Sequence, residues 1–432
     1  MIKAIRTMSC KIKRILSIMT FILLLLRVQA QDNYVNYNYT YLDNIKTVQF
    51  HVEGLVLSQP IYYLNSGSPL ELAFDDLNPD YREYVYTVIH CNADWTPSNL
   101  VTSEYLNGFE EEIIENYEYS FKAKTIYTHY NLLLPNEDMQ FTKSGNYLLL
   151  VYDNEEGKRL AFVRRFMVVE PRVNILPDVV RPAMVGKSDT HQEIDFSVTH
   201  KGFDIRSPRT ELSVTVLQNG RWDNAIQGLK PLFSRAEEQV FDYQNKVIFP
   251  AGKEFRYLDL RSLRYGTENI AQVEFINDRY EVTLYTDEKR SRGGYLEFED
   301  INGNFVIDNF DDRDAVLESE YASVLFSLAS PAEMYDYDIY LFGAFTEWLL
   351  KPEFKMVYNP AVNAYVGKAY LKQGYYNYMY AAVPKNGGEI DFEPVEGNWY
   401  EARNDYTILV YYRPFGGRYD RLIGALTFSS RI

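Results

Sequence analysis

The chain has 432 residues with a formal charge of −16 at neutral pH, and 38 tyrosines and 25 phenylalanines give it a high aromatic content. A negative field of this size repels nucleic acid and anionic membrane surfaces, which argues against both as partners. The only cysteines are Cys10 and Cys91. If Cys10 is removed with an N-terminal targeting segment, hydrophobic cores must hold each domain together without an internal disulfide.

Residues 1–30 have the layout of a secretory signal peptide. Basic residues precede the apolar run from Ile15 to Leu26, and Val28-Gln29-Ala30 supplies a cleavage point before Gln31. Cleavage removes six basic and no acidic residues, which takes the formal charge from −16 to −22. No later segment has the run of about 18 apolar residues that a helical membrane span needs. We therefore expect an exported protein, with an uncleaved anchor as the alternative interpretation.

The residues after the predicted cleavage point carry closely spaced tyrosines, among them Tyr37, Tyr39 and Tyr41. This spacing is compatible with a flexible arm. It is equally compatible with a first edge strand that holds its rings on one side. The sequence leaves both interpretations open.

His90 and Cys91 are adjacent, which invites an interpretation as a catalytic base and nucleophile. Both belong to the predicted strand 84–91, and neighbours in a strand point to opposite faces, so the two side chains do not face each other. We expect Cys91 to be a small buried apolar residue. The other histidines lack the spacing of zinc ligands, and they are His51, His129, His191 and His200.

Alternation of apolar and polar residues with a period of two dominates the rest of the chain. Residues 194–198 and 321–328 each place apolar side chains on one face, and the strand 212–218 runs into Asn219-Gly220, a strong hairpin signal. Sustained helical periodicity is almost absent. The pattern predicts an all-β protein with scarce helix.

Two proline-containing breaks divide the mature chain. Residues 170–182 contain three prolines, which cannot donate to a strand ladder, and Ser330-Pro331 follows a predicted strand. We therefore predict a signal peptide at 1–30, an N-terminal β-sandwich at 31–170, a middle β domain at 171–330 and a C-terminal β-sandwich at 331–432. Tandem immunoglobulin-like sandwiches fit these sizes.

The segment from Asp300 to Asp311 resembles a calcium-binding loop. Phe305 occupies the position where such loops need glycine, whereas Asn302-Gly303 has the composition of a tight turn. We predict the turn and keep an incidental calcium site as the alternative.

Acidic residues cluster at Asp75-Asp76, Glu110–Glu112 and Asp311–Asp314. Paired carboxylates hydrolyse glycosides only when they flank a cleft at a set separation, and runs of charge are usually solvated. No nucleophile elbow, phosphate-binding loop or dinucleotide fingerprint occurs. We predict no enzyme, no catalytic, cofactor-binding or metal-binding residues and no cofactor.

Several blocks resemble the type IX secretion system plug proteins, and they keep their order along the whole mature chain. The first two are His90–Trp95, which fits HC-x-x-DW, and Glu104–Gly108, which fits EYL-x-G. The others are Gln218–Ile226, Leu371–Tyr378, Val395–Gly397, Asn404–Tyr406, Tyr411–Pro414 and Arg418–Gly424.

The resemblance implies a non-enzymatic periplasmic protein of Bacteroidota. Its partners would be the giant outer-membrane barrel of the type IX translocon and the subunits associated with that barrel. It would seal the pore while no substrate is exported. The partner-binding residues are unknown, and no membrane span is implied. Tyrosine and arginine suit such reversible interfaces.

The C-terminal domain is also similar to early-set sandwiches of the carbohydrate-binding-module kind, in which an exposed tryptophan stacks on sugars, and Trp348 stands at the matching place. An exported glycan-binding protein is therefore the alternative function. A glycoside hydrolase, which would rest on the acidic clusters alone, is a third.

Overall fold

A computed structural model describes residues 34–155 and 157–431. The predicted signal peptide lies outside these ranges. The prediction of an all-β fold is confirmed, and the helical elements of the described residues are two short α-helices and two 3₁₀ turns: Thr102–Tyr105, Pro208–Glu211, Ala344–Thr346 and Pro352–Phe354. Three hydrophobic cores organise the strands, and we call the parts built around them modules 1, 2 and 3.

Module 1 is a sandwich of two main sheets. The strands, in chain order, are β1 (Tyr39–Thr40), β2 (Ile45–Val52), β3 (Ile61–Tyr63), β4 (Leu70–Asp76), β5 (Tyr84–Cys91), β6 (Leu106–Gly108), β7 (Glu111–Ile113), β8 (Asn116–Tyr119), β9 (Thr128–Leu134), β10 (Met139–Phe141), β11 (Gly145–Asp153) and β12 (Arg159–Val169). One sheet has the order β1-β12-β11-β5-β7, with β3 beside β12, and the facing sheet has the order β2-β4-β9-β8.

The core of module 1 is aromatic. Phe74 stacks on Tyr130 with ring centroids 5.0 Å apart, and it meets the edges of Tyr84 and Phe162 at 5.2 and 5.0 Å. Pairs of this kind add about 0.5–1.5 kcal/mol each beyond the burial of their area. Buried tyrosine hydroxyls of this core donate hydrogen bonds within the protein. The Tyr84 hydroxyl, for example, donates to the Asp76 carboxylate at 2.9 Å. Tyrosine therefore serves this core as a hydrophobic residue with one satisfied polar atom.

Module 2 begins with seven strands: β13 (Asn174–Val180), β14 (His191–Thr199), β15 (Leu212–Gln218), β16 (Ile226–Leu229), β17 (Phe233–Ser234), β18 (Glu238–Phe241) and β19 (Ile248–Pro250). One sheet has the order β13-β14-β18-β17, with β19 beside β14, and the other begins with the pair β15-β16. Pro177 lies in β13, at the sheet edge, where the missing N–H costs no ladder bond.

Module 3 follows as one nine-stranded sheet around a single core. Its strands are β20 (Arg256–Asp259), β21 (Ile270–Ile276), β22 (Arg279–Leu284), β23 (Phe305–Ile307), β24 (Tyr321–Ala329), β25 (Tyr337–Phe342), β26 (Lys355–Asn359), β27 (Ala364–Lys372) and β28 (Gly374–Pro384). The order is β20-β28-β25-β26-β27-β24-β22-β21, with β23 beside β28.

The chain then returns to module 2 through β29 (Asp405–Tyr412) and β30 (Arg421–Ser429). β29 pairs antiparallel with β15, and β30 completes the sheet β16-β15-β29-β30. Residues 406–428 therefore contribute to the core of module 2.

Strand pairing crosses the predicted boundary at residues 330 and 331. β24 precedes the break and pairs along its whole length with β27, which follows it. β29, near the end of the chain, pairs with β15 in the predicted middle domain. Ser330-Pro331 marks the turn after β24, because proline ends a strand without ending the domain that contains it. As limits of independently folding units, 31–170, 171–330 and 331–432 remain a proposal.

The predicted local features are confirmed where the structure describes them. Asn219 and Gly220 have φ of 52° and 69° and form the turn between β15 and β16. Asn302 and Gly303, at 51° and 81°, form the predicted tight turn. Positive φ at both central residues is the geometry that favours Asn-Gly. In the tyrosine-rich segment, the edge-strand interpretation is correct for Tyr39–Thr40, because Tyr39 pairs with Val163 at the edge of the sheet.

Candidate functional site at the module junctions

Several of the sequence blocks that resemble the plug proteins lie far apart in the chain but meet at the junction between modules 1 and 2. The guanidinium of Arg165 lies 4.2 Å from the ring centre of Trp95 and 4.9 Å from that of Trp222. The two indoles meet edge to face at 4.9 Å. Trp95 is only 1% exposed, whereas Arg165 and Trp222 are half-buried, so this stack of two rings and a cation runs from the protein interior towards its surface.

Polar bonds extend the same junction. Arg413 donates to the Asn92 side chain at 2.6 Å, and Asp420 accepts from the backbone N–H of Ala93 at 2.9 Å. The buried Tyr411 hydroxyl donates to Asn146 at 2.8 Å. The blocks His90–Trp95, Gln218–Ile226, Tyr411–Pro414 and Arg418–Gly424 thus contribute residues to one junction that joins two cores.

The junction between modules 1 and 3 contains a buried ion pair. Asp75 of β4 and Lys372 of β27 are each 1% exposed, and their charged atoms lie 2.6 Å apart. The Tyr321 hydroxyl donates to the same carboxylate at 2.7 Å, and His129 bonds its other oxygen at 2.7 Å. Burial alone raises the pKa of Asp75, but Lys372 and His129 outweigh that effect and hold the pKa below its ordinary value.

Glu347 forms a second charged centre between modules 1 and 3. Its carboxylate accepts from Arg164 of β12 at 2.6 Å, from Lys351 at 2.6 Å and from the Thr40 hydroxyl at 2.6 Å. Burial opposes ionisation of Glu347, yet Arg164 and Lys351 prevail and lower the pKa to about 2. Glu347 and Trp348 have φ of 61° and 58°, a left-handed conformation that stores strain in residues other than glycine.

Modules 2 and 3 meet around Arg221. Its guanidinium lies 5.1 Å from the ring centres of Phe342 and Phe392 and 5.5 Å from that of Trp348. Its charge is paired with Asp223 at 2.6 Å. The hairpin that the Gln218–Ile226 block forms in module 2 therefore contacts module 1 through Trp222 and module 3 through Arg221.

His90 and Cys91 do not form a catalytic pair, as their strand positions predicted. The two ring nitrogens of His90 bond the Ser98 hydroxyl at 2.8 Å and the Ser144 carbonyl at 3.1 Å. Cys91 is fully buried, and burial raises the pKa of its thiol to about 12. A thiol with this pKa is protonated at neutral pH and is a poor nucleophile.

Burial also lowers the pKa of His90 to about 4, against an ordinary value of 6.5. Between these two values the unfolded chain binds a proton that the folded chain does not, so stability falls as pH drops through that window. We expect the wild type to lose about 3 kcal/mol more than His90→Gln between pH 6.5 and 4. Urea unfolding measured across this range checks the difference, and parallel profiles would contradict it.

The carboxylates of the predicted calcium-like segment are occupied by protein donors. Asp300 accepts from the backbone N–H groups of Phe255 and Asn302, and Asp311 accepts from Ser262 at 2.6 Å and from the N–H of Leu263 at 2.8 Å. Within residues 34–155 and 157–431, no group of three or more potential metal ligands occurs.

Trp348 is half-buried. It meets Phe342 edge to face at 5.4 Å and Phe255 at 6.0 Å, in addition to Arg221. It differs in this respect from the open stacking tryptophan of the carbohydrate-binding sandwiches. Sugar binding by Trp348 stays a prediction.

Large aromatic side chains are exposed on all three modules. Each of the following is at least half exposed: Phe109, Tyr119, Phe121, Phe233, Tyr265, Tyr285, Phe310, Tyr335 and Phe415. Aromatic side chains contribute strongly when partner surfaces dock. The sequence indicated this surface through tyrosine and phenylalanine content but did not indicate which rings it contains.

Comparison with known proteins relates module 1 to a named family. Residues 45–170 match the family model described as the type 9 secretion system plug protein 1st domain. These bounds enclose all strands from β2 to β12, and therefore the buried residues of the core of module 1. No curated protein matches the chain.

A crystal structure extends the likeness to the other modules. A hypothetical protein from Parabacteroides merdae ATCC 43184 is 38% identical, with a TM-score of 0.87, and the match covers 91% of this chain and 99% of that one. The chain belongs to the family of this Parabacteroides protein. The coverage and TM-score show that the two chains share most of the three-module architecture, and the plug-type first domain is one part of it in this chain. No helix in the described part of the chain is long and apolar enough to cross a membrane.

Proposed function

We propose that the protein is a non-enzymatic plug of a type IX secretion system. It docks on the outer-membrane translocon barrel and closes the pore while no substrate is exported. The match of residues 45–170 to the plug first domain carries this proposal. The protein would work in the periplasm, peripheral to the outer membrane.

The junctions supply the mechanical property that such a role needs. A body that closes a wide pore must resist deformation, and loosely connected domains move relative to one another by default. Here the Trp95–Arg165–Trp222 stack, the Asp75–Lys372 pair and the Glu347 centre connect the three cores. The exposed aromatic side chains provide surface for reversible contact with the barrel.

Co-purification tests the docking step. The tagged full chain, extracted from native envelopes in mild detergent, should retain a very large outer-membrane barrel that mass spectrometry identifies. Recovery of the chain without any large barrel, from envelopes in which the barrel is demonstrably present, would refute docking.

The charge of the protein predicts how docking responds to salt. If basic barrel residues receive a chain with a formal charge of −22 after the predicted cleavage, association should weaken as ionic strength rises, because the Debye length shortens from about 10 Å at 0.1 M to about 3 Å at 1 M. Barrel retained by the immobilised chain at increasing salt measures this dependence. Retention that does not change with salt would contradict the electrostatic part of the account.

A further inference from the structure

A groove runs along β2, the edge strand of its sheet in module 1, and faces module 3. It has two adjoining halves with volumes of about 370 and 420 Å³. Val48, Arg164, Phe305, Ala344 and Glu347 line both halves, which makes the halves one continuous feature that we call the β2 groove. Residues 45–48 line the first half and residues 48–52 line the second. Since consecutive residues take part, the groove follows the edge of the strand and not one of its faces.

The backbone edge of β2 is available for pairing. Within residues 34–155 and 157–431, its only ladder partner is β4, so alternate N–H and C=O groups point away from the sheet. Among the described residues, no backbone group of residues 46–51 bonds outside the β2–β4 ladder. The ladder is irregular between Lys46 and Gln49, where Thr47 has φ of 53°. A β-branched residue rarely adopts this conformation.

The first half of the groove contains several cations, most of which are neutralised by ion pairs. Five basic and three acidic side chains line it, against a formal charge of −16 for the chain. Most of the basic groups are paired, Arg164 and Lys351 with Glu347, Lys368 with Glu281 and Lys372 with Asp75. Lys46 is half-buried and has no ion-pair partner among the described residues. The carboxylates of Asp43, Glu353 and Glu347 act on this ammonium without forming an ion pair with it, so a ligand carboxylate can still form one.

The second half of the groove is apolar at its rim. The loop after β2 presents Leu57, 45% exposed, and Val56, 44% exposed, beside Trp348 and Pro60. Asn302 also lines this half, and its buried side-chain oxygen has no hydrogen-bond donor. A ligand with an apolar side chain and backbone N–H groups would satisfy both features.

We propose that the β2 groove binds an extended peptide segment of a partner protein. The segment pairs with the free backbone edge of β2. It places an acidic side chain beside Lys46 and an apolar side chain among Val56, Leu57 and Trp348. Strand addition of this kind takes affinity from the main chain and specificity from side-chain pockets. This binding goes beyond pore closure and does not depend on docking to a barrel.

Peptide display on the purified full chain tests the proposal. Short random peptides selected on the protein should be enriched in β-branched or aromatic residues at alternate positions, with Asp or Glu at one end. The affinity of a selected peptide should fall by about tenfold or more when Lys46 is replaced by glutamate (Lys46→Glu). The matched control Lys201→Glu makes the same charge change at an exposed lysine of module 2 and should leave affinity within about twofold. Thermal unfolding of both variants confirms that they fold.

Hydrogen exchange locates the peptide. Bound peptide should slow exchange of the amides of residues 46–51, and a version with N-methylated backbone amides should bind far more weakly. Three results would overturn the proposal: no enrichment over a protein-free surface, equal binding of the N-methylated peptide, or protection confined to other strands. Two patterns of protection of residues 46–51 without any peptide would also overturn the proposal. Protection that is lost on dilution would assign the groove to a second copy of the chain. Protection that is lost on removal of residues 1–33 would assign it to the chain itself.

Discussion

Replacement of Lys372 by methionine should destabilise the folded chain by about 3–5 kcal/mol, because the change leaves the Asp75 carboxylate buried without its cation. The methionine side chain fills a similar volume, so the loss comes from the charge and not from a cavity. Tyr321 and His129 still bond Asp75 in the variant, but two hydrogen bonds do not replace the ion pair. Thermal and urea unfolding of the purified chain measure the effect.

Lys368 provides the matched control for this experiment. It lies on the same strand, β27, and pairs with Glu281, but its side chain is 58% exposed. Lys368→Met should therefore change stability by no more than about 0.5 kcal/mol. Equal losses in the two variants would show that the Asp75–Lys372 pair does not act as a buried charge pair.

Replacement of Trp95 by alanine should lower the free energy of unfolding by about 3–5 kcal/mol, the usual loss when a large buried aromatic side chain is removed. Trp95 is 1% exposed and lies 4.2 Å from the guanidinium of Arg165. Its loss also leaves Trp222 without its neighbour, so limited proteolysis should become faster at the junction of modules 1 and 2. Urea unfolding together with mapping of the cleavage sites measures both effects.

Phe109→Ala is the control for the tryptophan variant. Phe109 is an aromatic residue of the same module but is 59% exposed. Its truncation should therefore change the free energy of unfolding by no more than about 0.5 kcal/mol. A Trp95→Ala protein that is as stable as Phe109→Ala, with an unchanged cleavage pattern, would contradict a joining role for the stack.

Local structure was predictable from the sequence to a large extent. Alternation located β15 and β24 to within one residue and the central part of β14, because a strand with one buried face must alternate. The turns at Asn219-Gly220 and Asn302-Gly303 were predictable because positive φ favours these residues. Residues 170–182, which the prolines marked as a linker or an edge crossing, contain β13 with Pro177 at the edge of its sheet.

The assembly of the strands was not predictable in the same way. The pairing of β29 with β15 joins residues about two hundred positions apart, and no local pattern specifies which distant strand completes a sheet. The roles of Asp75 and Lys372 were hidden for a related reason. Asp75-Asp76 looked like a solvated acidic pair, and only the approach of β27 shows that Asp75 is buried beside a lysine.

The block residues show the limit of motif reading most clearly. His90 and Trp95 pointed correctly to a plug-type first domain, but nothing in the sequence showed what they contact. The structure places Trp95 against Trp222 and Arg165. Long-range packing explains why these residue types occur at these positions.

Pore closure is the central claim, and outer-membrane permeability tests it most directly. In the source bacterium, removal of this chain should leave the translocon barrel in place and make the envelope leaky to large hydrophilic fluorescent probes that intact cells exclude. Expression of the full chain in trans should restore the barrier. Cells that lack the chain, retain the barrel and still exclude the probes as well as the wild type would contradict the account.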